Sequence, residues 1–171
     1  MFTAPPIATS NIMRVIAVDP GYDRLGVAVL ELENGKEKLI HSSCIETKKS
    51  DTLPDRIFVA GEEFTKLLNI HHPTALAIET IFFNSNQKTA IGVAGIRGML
   101  IYLAKQKSCD VYEFNPQEIK VAITGYGKSD KTAVIDMVKR LVPLAPQKAL
   151  DDEYDAIAIG VTCLAHHGRT K

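Results

Sequence analysis

"VIAVDPGYDRLGVAVL", residues 15–30, joins two apolar runs through a tight turn and places a carboxylate, Asp19, at the end of the first run, directly before Pro20 and Gly21. The β-branched content of "RVIAVD", residues 14–19, predicts a short buried strand. "RLGVAVLELE", residues 24–33, resumes as a second strand, and Asn34-Gly35 is a two-residue hairpin signal into a third, "KEKLIHSSCIET". Three antiparallel strands therefore open the fold. An acid at the first turn either satisfies turn amides or belongs to a site, and this stretch alone leaves both open.

Working outward, "LPDRIFVAGEEFTKLLNIHH" from residue 53 carries a helical stripe of Ile57, Phe58, Phe64, Leu67 and Leu68, with Pro54 near its start. "TALAIE" is the next strand and again ends in a carboxylate, Glu79. "NQKTAIGVAGIRGMLIYLAKQ", from residue 86, predicts a helix with Ile91, Ala94, Met99 and Tyr102 among its apolar positions, apolar on more than one side and with glycines suited to close packing. "CDVYEF" is a fifth strand, "NPQEIKVAIT" a short helix and "KSDKTAVIDMVKRLV" a longer one. "DDEYDAIAIGVTCLAHH", residues 151–167, closes the series as a helix whose early acids suit the positive end of its dipole. A three-strand meander followed by αβαβα units is a mixed α/β fold.

A chain of 171 residues has room for one domain with a sizeable core and is too short for two lobes around a cleft. We read residues 1–12, with two prolines and neither a basic nor an apolar segment of signal-peptide type, as a flexible extension, and residues 13–171 as a single domain. No apolar run reaches the roughly 18 residues that would span a bilayer, so no membrane partner is expected. Cys44, Cys109 and Cys163 lack metal-type or disulfide spacing and read as core residues of a cytoplasmic protein. The net charge of zero hides an asymmetry: residues 84–140 hold nine Lys/Arg against five Asp/Glu. That segment is basic and the first part of the chain correspondingly acidic, so the average can hide a polarised surface.

If strands one, four and five run parallel, right-handed crossovers set them side by side, and Asp19 and Glu79 emerge at the carboxyl ends of neighbouring strands. Asp152 and Asp155, three apart, point from one face of the last helix. Four crowded anions repel unless protons or cations neutralise them. Hard oxygen ligands of this kind suit Mg2+ and phosphoryl transfer, with two ions activating water and stabilising the leaving oxygen. Without Asp19 and Glu79, Asp152 and Asp155 would read more readily as helix-capping acids than as ligands. The pairs His71-His72 and His166-His167 read as surface residues at helix ends.

The chain resembles the RuvC family of Holliday-junction resolvases, within the retroviral-integrase and ribonuclease H superfamily. The resemblance runs from about Arg14 to His166 and rests on "IAVDPGYDRLGVAV", "LAIETIFFNSNQKTAIGVAGIRG", "YEFNPQEIKVAITGYGKSDKTAV" and "DDEYDAIAIGVTCLAHH", in that order. It implies a ribonuclease H-like fold whose mixed five-stranded sheet has strands 1–3 antiparallel and strands 4 and 5 parallel to 1, flanked by helices. It further implies metal-binding acids at Asp19, Glu79, Asp152 and Asp155, with Asp151 and Glu153 flanking the third, and Mg2+ as cofactor with Mn2+ as a substitute. The implied substrate is four-way junction DNA, cut by a homodimer in two symmetric nicks that leave 5′-phosphate and 3′-hydroxyl ends. By the same resemblance, Phe82 stacks on bases near the junction centre, Lys120 and Lys131 lie near the DNA, and a branch-migration motor of the RuvA and RuvB type is the partner. A noncatalytic junction-binding module, or a nuclease of the same fold acting on RNA–DNA hybrids, are the alternatives.

Overall fold

The computed structural model describes residues 12–80 and 87–168. Strand β1 (Arg14–Asp19) is its centre: Val15, Ile16, Ala17 and Val18 are all fully buried, as a strand covered on both faces requires. It pairs antiparallel with β2 (Arg24–Glu33), which pairs antiparallel with β3 (Lys36–Glu46) across a turn where Asn34 and Gly35 both have positive φ. That is the backbone signature of a type I′ hairpin. On its other edge β1 pairs in parallel with β4 (Ala75–Glu79), which pairs in parallel with β5 (Asp110–Phe114). The order β3-β2-β1-β4-β5 is the expected five-stranded mixed sheet.

Helices cover both faces. Ile16, Val18, Val27, Val29, Leu76 and Ile78 pack beneath α1 (Leu53–His71) and α2 (Gln87–Gln106). The opposite face meets α5 (Asp151–His167), with α3 (Pro116–Thr124) and α4 (Lys131–Leu141) packed against α5 in turn. Here the sheet is floored by Ala17, Ala28, Ala75 and Ala77, so α5 lies close. A Cβ on Gly160 would stand 2.3 Å from Leu30 Cδ1 and 3.2 Å from Ala17 Cβ. From Tyr154 to Leu164 every residue of α5 except Asp155 is buried.

Two helix faces differ from the periodicity reading. On α1 the buried stripe is Ala60, Gly61, Phe64 and Leu68, while Phe58 is 67% exposed. Phe58 stands six residues before Phe64, about 120° off that face at 3.6 residues per turn. On α2 the core stripe is Gly92, Ile96, Leu100 and Ala104, each four residues apart. Ile91 (68% exposed), Ala94 and Tyr102 (62% exposed) lie outward instead, with Met99 between the faces. The apolar content of α2 serves two faces, and only one of them meets the sheet. Apart from Ile12, the expected N-terminal extension lies outside the described residues, and Met13 packs on the α5-side core. Among the described residues no helix is long and apolar enough to cross a membrane.

Candidate active site

Asp19 is the last residue of β1 and Glu79 the last of β4, and these neighbouring parallel strands keep Val18 beside Ile78. Both acids therefore leave the sheet together, at the carboxyl edge where open α/β sheets build sites. The other two acids arrive from α5, and a glycine lets them in. Gly26 faces Asp19 across the β1–β2 ladder, and a Cβ there would stand 1.8 Å from the carbonyl oxygen of Asp152. The first turn of α5 rests on bare backbone beside Asp19. The signal in the sequence was a glycine inside a strand, which often marks a close backbone approach; the spacing reading passed over it.

The four carboxylates feel one another. Burial, followed by the charges of Asp155, Glu79 and Asp152, pushes the Asp19 pKa up to about 7. Glu79 is raised by burial and by Asp155, against the opposing pull of Lys131 and Lys120. Burial also raises Asp155, although its bond from Lys131 works the other way. A repelling cluster of acids thus stands at the end of a buried strand.

Cations are drawn in on both sides. The Lys131 ammonium donates to Asp155 Oδ2 at 2.9 Å and lies 3.4 Å from Asp151 Oδ2. Burial tends to lower the Lys131 pKa, yet these acids hold it above the ordinary lysine value. Arg24 Nε lies 3.3 Å from Asp152 Oδ2 without hydrogen-bond geometry, and that buried oxygen has no hydrogen-bond partner. Glu153 turns to β3, where it accepts from Ser42 Oγ. Of the two flanking acids, one thus pairs with Lys131 and the other points away.

Lys120 from α3 and Lys131 from α4 line a cleft of about 230 Å³ with Glu79 and Asp155. Local chemistry sets both helices: Asn115 and Glu118 form a reciprocal capping box ahead of Lys120, and Asp130 caps α4 immediately before Lys131. Phe82 lies outside the described residues. His167 stacks on Tyr112 with centroids 4.0 Å apart, and His71 sits 5.2 Å from His41, both away from the acids' helix turn. Cys109 and Cys163 are buried and Cys44 half-buried, all as free thiols.

Among the described residues no three Asp, Glu, His or Cys side chains close on one point as ligands do. Lys131 is bonded to Asp155, and Arg24 lies beside Asp152. The donor set nevertheless fits a hard divalent cation. It consists of carboxylate oxygens, one of them buried and unpartnered, around an acid whose charged form is disfavoured by burial and by its neighbours despite the pull of Lys131. Gly21, in the turn after Asp19, is set by the turn itself. A Cβ there would stand 2.2 Å from the Arg24 carbonyl oxygen, so the turn itself requires the glycine.

Comparison with known proteins gives the family and the fold. Residues 15–163 match the family model described as crossover junction endodeoxyribonuclease RuvC. The chain is 43% identical over 153 residues to the crossover junction endodeoxyribonuclease RuvC of Thermosipho melanesiensis, covering 90% of this chain and 97% of the relative. Among solved structures it is similar to Thermus thermophilus RuvC, with 27% identity, a TM-score of 0.82 and coverage of 91% and 97% of the two chains. The same protein in complex with a Holliday junction substrate matches with the same identity and TM-score over 88% and 92%.

Proposed function

The chain belongs to the crossover junction endodeoxyribonuclease RuvC family, and from that premise we propose that it is a metal-dependent endonuclease that resolves four-way DNA junctions by paired symmetric nicks, in homologous recombination and DNA repair. The observation that carries the reading is the gathering of Asp19, Glu79, Asp152 and Asp155 around one sheet edge, with Lys120 and Lys131 on its flank. These four acids would hold the cofactor, which we take as two Mg2+ ions with Mn2+ as a substitute. Divalent cations in such a site supply a water of lowered pKa and charge stabilisation for an in-line phosphate displacement.

The chain's own part is binding and orientation. Lys120 and Lys131 attract the phosphodiester to the acids and carry no sequence information themselves. The nicks leave 5′-phosphate and 3′-hydroxyl ends. Phe82, in the segment after Glu79, would stack on a base near the junction centre, a contact worth about 1–3 kcal/mol. Symmetric resolution needs two sites related by a two-fold axis, hence a homodimer. The outward stripe of Ile91, Ala94, Gly98 and Tyr102 on α2 supports one, since a Cβ on Gly98 would meet open space and a second chain could approach closely there. Location in the cytoplasm and a branch-migration motor of the RuvA and RuvB type complete the reading.

A nicking assay on a synthetic mobile junction, with and without Mg2+, tests it. Paired, ligatable cuts at symmetric positions are expected only with the ion, and an RNA–DNA hybrid in parallel should stay intact. Binding of the junction without any product in Mg2+ or Mn2+ would reduce the protein to a binding module. Cleavage of the hybrid in preference to the junction would reassign its substrate.

A further inference from the structure

The acids have a second flank. On the β4 side of β1 lies the cleft of Lys120 and Lys131; on the β2 side lies a larger groove of about 540 Å³, between the turn after Asp19, the end of β3 and α2. Tyr22, Arg24, Thr47, Lys49 and Asp152 line it, so one wall is a proposed metal ligand and another carries two cations. Of its acids, Asp23 pairs with the buried Arg56, and Glu46 stands opposite Arg24 in the β2–β3 register.

We propose that Arg24 and Lys49 form a second phosphate-holding site, which grips the backbone of the cleaved DNA strand on the side of the acids opposite Lys120 and Lys131. This rests on the reading of the chain as a DNA nuclease and adds residues that the motif match does not supply. A guanidinium presents five donors in a planar fork suited to two phosphate oxygens. Asp152, at 3.3 Å, takes none of them in hydrogen-bond geometry, and the Arg24 side chain is 47% exposed at the groove. Lys49 is exposed at the same groove. A strand laid over the ends of β1 and β4 passes over Lys120 and Lys131 at one side and meets Arg24 and Lys49 at the other, because β2 and β4 flank β1. With cations on one flank alone, the strand would be free to pivot about the scissile phosphate.

The test compares wild type, Arg24→Ala, Arg24→Lys, Lys49→Ala and the Arg24→Ala/Lys49→Ala pair in junction binding with Ca2+, across a salt series. Removing two phosphate contacts should flatten the slope of log affinity against log salt by about 2 and weaken binding at least about tenfold near physiological salt. Arg24→Lys should keep the slope. Cleavage of the junction by wild type in Mg2+ is measured alongside, so loss of the nuclease reading shows as no product from wild type. If wild type cuts and the double variant keeps wild-type affinity and slope, the second phosphate site does not exist. Unchanged affinity with slower cutting at saturating enzyme would reassign Arg24 to holding Asp152 and equally overturn the proposal. Lys49→Ala lies on the exposed surface, so its slope decides the matter even if the Arg24 variants fail to fold.

Discussion

Replacing Asp19 with Asn should make the protein more stable while removing its activity. In the folded chain, burial and three neighbouring carboxylates raise the Asp19 pKa from 3.8 to about 7. The folded state therefore binds this proton more tightly than the unfolded state does. Below about pH 4 the acid is neutral in both states and costs nothing; as pH rises from about 4 to 7 the unfolded chain ionises first and stability is lost; above about 7 the penalty is complete. A shift of about 3 pH units corresponds to about 4 kcal/mol, and allowing for water reaching a half-buried group leaves about 2–4 kcal/mol. For a domain of this size that is about 5–15 °C in melting temperature. The assay is thermal unfolding of wild type and Asp19→Asn in EDTA at pH 5 and pH 8, with junction nicking in Mg2+ alongside. The variant should melt higher at pH 8, by a margin that shrinks at pH 5, and should not nick. Adding Mg2+ at pH 8 should raise wild type more than the variant, because a ligand of the native state stabilises it. A variant that melts at or below wild type at pH 8, or a margin that ignores pH, would refute the electrostatic account of the cluster.

Gly26→Ala should slow cleavage and destabilise the fold by about 1–3 kcal/mol, because its Cβ would overlap the Asp152 carbonyl and must push the first turn of α5 away; kinetics with urea melts checks both effects. Lys131→Met removes the cation bonded to Asp155, so the Asp155 pKa should rise further and the acidic limb of the cleavage pH profile should move to higher pH. Ile91→Asp combined with Tyr102→Glu should yield a monomer by light scattering with an undiminished melt, since both side chains face away from the sheet. Phe64→Ala should cost about 3–5 kcal/mol in denaturant unfolding and Phe58→Ser within about 0.5 kcal/mol, which checks which face of α1 is buried.

The sheet was readable because its strands declare themselves locally. Four fully buried residues precede Asp19, and Asn34-Gly35 has the positive φ pair that a tight hairpin demands. Asp19 and Glu79 were readable as a pair because both end a strand, and strand order followed from crossover handedness. Helix faces were not readable to the same degree. α2 is apolar on more than one side, so periodicity chose the outward stripe of Ile91, Ala94 and Tyr102 as readily as the inward one of Ile96, Leu100 and Ala104. Phe58 misled for another reason: hydrophobicity scores an aromatic as core wherever it falls, and only the angle to Phe64 places it outside. Gly26 and Arg24 were invisible to motif spacing because their importance lies in what they touch, a backbone carbonyl and a carboxylate of a helix more than a hundred residues later.

The two α5 acids share a design that follows from their position. Asp152 sits on the first turn of α5, where the dipole favours negative charge, and Asp155 follows three residues on; each has one cation beside it, Lys131 for Asp155 and Arg24 for Asp152. The pairs are unequal. Lys131 makes a true charge-assisted hydrogen bond at 2.9 Å, whereas Arg24 approaches an oxygen that remains unbonded. The same cations face clefts on opposite sides of β1. An ion that takes the carboxylates weakens both pairs, leaving Lys131 and Arg24 free for phosphate oxygens, and a phosphate that takes the cations leaves the carboxylates in need of a counter-charge. Linkage makes that exchange reciprocal: whatever metal binding contributes to DNA affinity, DNA binding returns to metal affinity. Asp19, with no cation hydrogen-bonded to it and a pKa near neutrality, is then the acid whose charge depends most on both arriving together.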